Sequence, residues 1–167
     1  MFKLLKRLKF LKTLKNIVMG NLNVIHEVQV IYKRPVINQM EKIKCSNDMV
    51  EVFRKLISED QIDLKEFFCV ALLSRSNQVL GVSTVGSGTA TQTVVNVREI
   101  LQLSLKTNAN GIVICHNHPS GNLKASDSDI ALTGKVKEAC KLFEIALLDH
   151  IIITSEGYYS FADNGLI

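Results

Sequence analysis

The sequence predicts an α/β domain in which helices flank a curved mixed β-sheet. Segments with helical periodicity alternate with short apolar segments rich in β-branched residues, in the order helix, two strands, helix, strand, helix and two strands. The chain has 167 residues, 47% of them hydrophobic, with two prolines and nine glycines. That length and composition suit one ordinary domain with a buried core and one N-terminal extension.

Residues 1–22 are predicted to form a basic N-terminal segment. The first sixteen residues contain six Lys or Arg and no acidic residue, so the rest of the chain has a net charge of −2 although the whole chain has +4. Lysine recurs at every third position, so a helix there would not separate basic and aliphatic faces. A solvated helix and a segment that contacts an anionic lipid surface or nucleic acid both remain open. The charge of the remaining domain does not support nucleic-acid binding.

Cellular location is predicted from apolar runs and cysteines. No apolar run reaches the length of a signal-peptide core or a membrane span. The four cysteines are far apart and form no Cys-x-x-Cys motif, and Cys69, Cys115 and Cys140 fall in apolar segments. We therefore expect a cytoplasmic protein with buried, reduced thiols.

The first predicted elements follow the basic segment. Residues 23–44 are expected to be an extension whose strand runs from Asn23 to Val36. The main domain, residues 45–167, is expected to begin with a helix from Ser46 to about Ile57, with Ser46 as its N-cap. Its predicted buried face contains Met49, Val50, Phe53 and Leu56.

A predicted β-hairpin comes next. Its strands are Glu66–Ser74 and Gln78–Val85, joined by a polar turn at residues 75–77. A loop rich in Gly, Ser and Thr at residues 86–93 leads to a helix over Val95–Lys106, which contains Glu99.

Two histidines follow the next predicted strand. Residues 111–115 are apolar and β-branched, which predicts a buried strand that His116 and His118 end. Side chains two residues apart point to the same face of a strand. Both imidazoles are therefore expected on one face, with Cys115 on the opposite one.

Asp129 is expected beside these histidines. A polar loop over residues 119–125 leads to a helix that begins at Ser126, and Asp129 lies in its first turn. Asp129 shares the apolar stripe of this helix with Leu132, Val136, Cys140 and Phe143. One interpretation is a capping box formed by Ser126 and Asp129 beside ordinary strand-end histidines. The other is a metal site, which explains why an acidic residue lies on a buried stripe.

The last predicted strands are Ala146–Thr154 and Tyr158–Ala162. The first contains Asp149 and His150, for which three interpretations are open: a pair that supports the metal ligands, a buried ion pair, or a hydrogen-bonded core histidine.

Two histidines and one carboxylate are the ligand set of an open, catalytic zinc site, in which water takes the fourth position. Hydrolysis at such a site also requires a general acid/base, and a carboxylate from elsewhere in the chain has to supply it.

The spacing His116-x-His118-Pro119, seven residues from Pro119 to Ala125, then Ser126-x-x-Asp129 resembles the JAMM motif of the MPN domain family. The sequences HNHPSG, LLDHIIIT and YYSFADNGLI resemble its bacterial RadC-like branch. The resemblance covers about residues 45–167. It implies an MPN (JAB/JAMM) fold of the cytidine deaminase-like type.

By position, the resemblance implies zinc bound by His116, His118 and Asp129, with Ser126 stabilising a tetrahedral intermediate. It also implies a glutamate on an early strand as general acid/base, which is Glu66 here. Glu99 remains the competing candidate for that role.

Two functions are considered. The first is a zinc-dependent metallopeptidase that hydrolyses a peptide or isopeptide bond in a protein or peptide substrate. The alternative is a non-catalytic MPN binding module associated with DNA repair, replication or a mobile element. Many RadC-like chains have a helix-hairpin-helix segment before this domain, and the sequence shows none, which weakens a role on DNA.

Overall fold

The computed structural model describes residues 29–36, 40–88 and 95–167. From Tyr32 to Ile167 the chain forms one compact unit. The helices in the described ranges are α1 (Ser46–Leu56), α2 (Val97–Thr107) and α3 (Asp127–Lys141). The strands are β1 (Phe67–Leu73), β2 (Val79–Ser87), β3 (Gly111–Asn117), β4 (Ala146–Ile153) and β5 (Tyr158–Ser160).

The five strands form one mixed sheet in the order β2-β1-β3-β4-β5. Strand β1 is antiparallel to both β2 and β3, β3 is parallel to β4, and β4 is antiparallel to β5. Parallel neighbours need a long crossover, which α3 provides between β3 and β4. The predicted α/β class with a mixed sheet is confirmed.

The sheet separates two apolar layers. Helix α1 packs Met49, Val50 and Phe53 against one face of the sheet. The other face packs against α2 and α3, which contribute Ile100, Val136 and Cys140 among others. Alternation along β3 divides its side chains between the layers, because Val113 and Cys115 lie in the first layer and Ile112 and Ile114 in the second. Cys115 is thus on the face opposite His116, as predicted.

The predicted hairpin is present, and the backbone of its turn explains why residue 77 is an asparagine. The Ser74 amide donates to the Gln78 carbonyl (2.9 Å), and Asn77 has a φ of 57°. Asparagine adopts this left-handed conformation more readily than most residues.

The predicted N-cap of the first helix is wrong by one residue. Cys45 is the N-cap, and Asp48 accepts the Cys45 amide hydrogen at 3.3 Å. The Ser46 hydroxyl instead donates to Ser160 Oγ at 3.3 Å. The side chain that the local pattern predicted as the cap thus bonds to a residue distant in sequence.

Two further predictions are corrected. Residues 29–36 form no strand, and the remainder of the predicted strand Asn23–Val36 lies outside the described residues, as does the basic segment 1–22. No strand ladder pairs with residues 29–36, so their near-alternating sequence alone does not make a strand.

Phe143 is not on the buried stripe of α3, because the helix ends at Lys141 and Phe143 is 47% exposed.

Among the described residues, no helix is both long enough and apolar enough to cross a membrane. All four cysteines are free thiols, and Cys69, Cys115 and Cys140 are buried as predicted.

Candidate metal centre

The carboxyl end of β3 positions both histidines. His116 is the sixth residue of β3 and points toward the layer of α3, with 1% of its side chain exposed. His118 follows the strand, and its amide donates to the Ile153 carbonyl of β4 at 3.0 Å. This bond extends the parallel ladder by one residue, so His118 is held by the sheet although it lies beyond β3.

The first turn of α3 positions Asp129. Ser126 is the N-cap, and its hydroxyl accepts the Asp129 amide hydrogen at 3.2 Å. Asp129 Oδ2 accepts from the Ser126 amide (2.8 Å) and from the Ser126 hydroxyl (2.6 Å). The capping box therefore forms, and Asp129 also faces the histidines. The capping box and a position facing the histidines are therefore compatible, and Asp129 has both.

Three potential ligand atoms converge. His116 Nε2 is 2.9 Å from His118 Nε2 and 3.3 Å from Asp129 Oδ1, and His118 Nε2 is 3.7 Å from Asp129 Oδ2. All three ligand atoms lie within 4.8 Å of one another. The three residues that the sequence predicted as a metal set are brought together.

The chemistry of these atoms fits a cation. His118 Nδ1 is 2.6 Å from the Asn122 carbonyl oxygen, which can only accept, so Nδ1 carries the hydrogen. His118 Nε2, beside Asp129 and His116, is therefore the atom that gives up its hydrogen and offers a lone pair when a cation binds. Two neutral imidazole nitrogens and a carboxylate are the protein donor set of many catalytic zinc sites, in which water takes the fourth position.

Protonation of the group follows from its surroundings. Burial lowers the pKa of His116 to about 4, although Asp129 partly opposes this shift. The hydrogen bond with Asp129 raises the pKa of His118. Burial acts to raise the pKa of Asp129, but His118, His116 and the Ser126 bonds outweigh it and hold that pKa well below its usual range. His116 is thus neutral and Asp129 anionic near pH 7, as metal ligands must be, whereas a metal has to displace the Nε2 proton of His118.

Glu66 is close enough to this group for its charge to act on His118. It is half-buried and immediately precedes β1, and its charge contributes to the raised pKa of His118. Its backbone carbonyl accepts from the Gly88 amide at 3.0 Å. Glu99 instead lies on α2 beside Asn96, Gln102 and Lys106.

Asn117 connects the segment of Glu66 to the end of β3, and the sequence analysis missed it. Its side chain is fully buried on the face opposite the histidines. The amide nitrogen donates to the carbonyls of Ile62 (2.6 Å) and Lys65 (2.9 Å), and Oδ1 accepts from the Phe67 amide (2.7 Å). Glu66 is thus flanked by two backbone groups that the same side chain holds.

His150 lies behind His116. Its Nε2 is 2.8 Å from His116 Nδ1, and its Nδ1 is 2.6 Å from the Thr133 hydroxyl. Asp149 points to the other face, where it accepts from the Ser160 hydroxyl (2.7 Å) and the Ala162 amide (2.9 Å). The two neighbours therefore form no ion pair with each other. His150 contacts a predicted ligand, whereas Asp149 does not.

The loops predicted to border the site are described in part. The loop over residues 119–125 supplies Asn122, which anchors His118. Of the predicted loop 86–93, Gly86 and Ser87 belong to β2, and residues 89–93 lie outside the described part of the chain.

Comparison with known proteins identifies relatives. The profile of the RadC-like JAB domain family matches residues 43–166. The chain is 38% identical over 128 residues to a UPF0758 protein of Flavobacterium johnsoniae, covering 77% of this chain and 55% of that protein. It is 37% identical over 131 residues to a UPF0758 protein of Haemophilus ducreyi, covering 78% of this chain and 59% of that protein. The chain thus spans little more than half the length of these two relatives.

Proposed function

The chain belongs to the RadC-like JAB domain family, and from this premise we propose that it is a zinc-dependent hydrolase of peptide or isopeptide bonds. One observation carries the proposal. His116 Nε2, His118 Nε2 and the Asp129 carboxylate converge, and the charge of Glu66 acts on His118, which supports a ligand set and a general acid/base in one site.

His116, His118 and Asp129 would hold the ion. Zinc bound there would supply Lewis acidity toward the scissile carbonyl and would lower the pKa of a water molecule to about 7. The carboxylate of Glu66 accepts a proton from the attacking water and delivers it to the leaving amine nitrogen. The carbon–oxygen bond forms, the carbon–nitrogen bond breaks, and Glu66 ends in its starting state.

Ser126 has two successive partners in this proposal. In the free protein its hydroxyl donates to Asp129 Oδ2 at 2.6 Å. A developing oxyanion on the substrate offers this hydroxyl a stronger acceptor. If the hydroxyl turns toward it, Asp129 Oδ2 retains the bond from the Ser126 amide, so the ligand keeps its orientation.

The deciding experiment compares Glu66→Gln with Glu99→Gln. The glutamine side chain has the same size but cannot transfer a proton, so Glu66→Gln should keep about one zinc per chain while turnover falls by about 10²-fold or more. Glu99→Gln is the matched control, since Glu99 lies among other α2 side chains. Zinc is measured by elemental analysis, and turnover on a library of fluorogenic peptide and isopeptide substrates.

Three results would contradict the proposal. Absence of zinc from wild-type protein purified without chelator would remove the ligand assignment. Full activity of Glu66→Gln would remove its role as acid/base, and a loss confined to Glu99→Gln would transfer the role. Zinc binding without cleavage of any substrate in the library would favour the binding module.

A further inference from the structure

We propose that Thr133 and His150 are positioning residues that fix the tautomer of His116, so that its Nε2 lone pair points into the metal site. The inference rests on the proposed function for the presence of the metal. It follows from which atom donates in each of three hydrogen bonds: Thr133 with the Asp129 carbonyl, Thr133 with His150, and His150 with His116.

The donor and acceptor roles are determined first at the Thr133 hydroxyl. This oxygen is 2.6 Å from the Asp129 backbone carbonyl and 2.6 Å from His150 Nδ1. A hydroxyl has one hydrogen, and a carbonyl oxygen cannot donate. If the hydroxyl donated to His150, two oxygen acceptors would face each other at 2.6 Å without a hydrogen between them. The hydroxyl therefore donates to Asp129, and His150 Nδ1 donates to the hydroxyl.

The tautomer of His150 follows. The side chain is fully buried, and burial without a counter-ion favours the neutral ring. A neutral imidazole carries one hydrogen, which Nδ1 already holds. His150 Nε2 is therefore an acceptor.

The tautomer of His116 follows in turn. Its Nδ1 lies 2.8 Å from His150 Nε2, and a hydrogen bond between the two nitrogens requires a donor. His116 Nδ1 thus carries the hydrogen. Its Nε2 keeps a lone pair, which is the form that binds a metal, and this atom lies 3.3 Å from Asp129 Oδ1 and 2.9 Å from His118 Nε2. In the metal-free protein the hydrogen between the two Nε2 atoms therefore belongs to His118.

Packing prevents water from substituting for these partners. The ring of Phe161 stacks on His150 with centroids 4.6 Å apart, and the ring of Phe68 lies parallel to His116 at 6.0 Å. His116 and Thr133 are buried as well. The chain of bonds also starts at the backbone of Asp129, so it links one ligand to another through the protein interior.

The first test reads the tautomers directly in the metal-free protein. Long-range proton–nitrogen NMR correlations of the imidazoles should show hydrogen on Nδ1 of both His150 and His116, with signals assigned through single histidine variants. Hydrogen on Nε2 of either ring would overturn the proposal. This measurement needs neither zinc nor substrate.

The second test measures zinc affinity by competition with a chromophoric chelator. Loss of a group that orients a ligand typically weakens metal binding by about 10- to 100-fold. Thr133→Val keeps the shape of threonine without its hydroxyl, so we expect a loss of about tenfold at the lower end of that range. Thr133→Ser keeps the hydroxyl and is the control. Equal affinities of the two variants would overturn the proposal.

A second pair of variants, at position 150, keeps the test valid if the Thr133 variants fold poorly. Glutamine at position 150 offers a carbonyl that can accept from His116 Nδ1, whereas leucine offers nothing. His150→Gln should therefore bind zinc more tightly than His150→Leu, with unfolding of each variant monitored in chelator. The reverse order would contradict the proposal. The two proposals can fail separately. If the wild-type protein hydrolyses no substrate, the proposed function is wrong, but the tautomer and zinc-affinity results are unaffected. If the tautomers differ from those inferred here, this inference is wrong even if the protein hydrolyses substrates.

Discussion

At the scale of single residues, Asn117 shows how one side chain can organise backbone that it does not adjoin in sequence. It lies between the two histidines in sequence but bonds to Ile62 and Lys65 before β1 and to Phe67, the first residue of β1. Buried carbonyl groups that lose their donor cost about 1–3 kcal/mol each. The side chain therefore stabilises the approach to Glu66 as well as the fold.

Asn117→Asp should destabilise the protein strongly. The carboxylate can still accept from the Phe67 amide, but it has no hydrogen for the carbonyls of Ile62 and Lys65. We expect the free energy of unfolding to fall by about 2 kcal/mol or more. Urea denaturation in the presence of chelator measures this change without any contribution from metal.

Asn96→Asp is the control for that substitution. Asn96 is the exposed N-cap of α2, and the bond of its side chain to the described residues is one that it accepts, from the Arg98 amide at 3.1 Å. Aspartate caps helices as well as asparagine does, so stability should change by only a few tenths of a kcal/mol. Similar losses in both variants would mean that the amide hydrogens of Asn117 contribute little.

The sequence revealed the three candidate ligands because they lie within one spaced motif of fourteen positions, 116–129. It did not reveal the contacts of Asn117 and Thr133, and it left the contact of His150 with His116 within one of three open interpretations of the pair Asp149 and His150. Those contacts join residues 17 to 55 positions apart, and no periodicity or motif spacing encodes them. They become visible only when the register of β1, β3 and β4 is known.

At the scale of elements, the N-terminus of α3 combines two tasks in one turn. Asp129 accepts capping bonds through Oδ2 and presents Oδ1 to His116. The first turn of a helix also favours negative charge, because its unpaired amide groups carry partial positive charge. The helix that carries Asp129 therefore adds to the effect of the two histidines in keeping this candidate ligand anionic.

Ser126→Ala should lower stability by about 1 kcal/mol, because the Asp129 amide loses its capping acceptor. Ser128→Ala is the matched control, since the Ser128 hydroxyl bonds to Ser126 Oγ and leaves both capping bonds to Asp129 intact. Thermal unfolding of the two variants measures the difference. An equal loss in both would contradict the role of the cap.

Element boundaries illustrate where local pattern fails. The pattern located the start of α3 correctly, because Ser126 both caps the helix and bonds within the same turn. It extended the end to Phe143, whereas Glu144 has a φ of 56° and the Ile145 amide returns to the Cys140 carbonyl at 3.1 Å. A backbone turn closed by glutamate, and not by glycine, leaves no clear stop signal in the sequence.

At the scale of the whole molecule, the site joins the end of β3 to the start of α3 across the loop of residues 119–125. A metal that binds only the folded arrangement stabilises it by mass action, by about 2.7 kcal/mol at a free concentration of 100 times the dissociation constant. The fold should therefore depend on metal even though each element has its own core contacts.

Chelation should lower the melting temperature of the wild-type protein and leave that of Asp129→Ala nearly unchanged, because the variant has lost a ligand. Differential scanning calorimetry with and without EDTA measures both shifts. An equal response of the two proteins would show that the chelator acts elsewhere.

Stability should also fall at high pH because of buried thiols. Burial raises the pKa of Cys69 and of Cys140 to about 11. In the unfolded chain these thiols ionise near pH 8.5, so between about pH 8.5 and 11 the folded protein binds more protons. Their contribution is complete below that range and is lost as pH rises through it, with a slope of up to about 1.4 kcal/mol per pH unit for each thiol.

The double variant Cys69→Ala with Cys140→Ala should show a shallower decline in urea denaturation between pH 8.5 and 10.5. Cys45→Ala should retain the wild-type slope, because Cys45 is exposed. Parallel slopes in all three proteins would assign the decline to other groups.

The unequal exposure of the cysteines offers a selective point of attachment. Cys45 alone among the four is exposed, and it borders a cavity with Leu73 and Val113, at the end of β1 away from Phe68 and His116. Six residues of extended strand separate Leu73 from Phe67, roughly 20 Å. A fluorophore coupled to the native chain at Cys45 would therefore stand well clear of the histidines. Its anisotropy would record the slower tumbling that accompanies binding of a large partner, without an engineered tag and without obstruction of the candidate metal site.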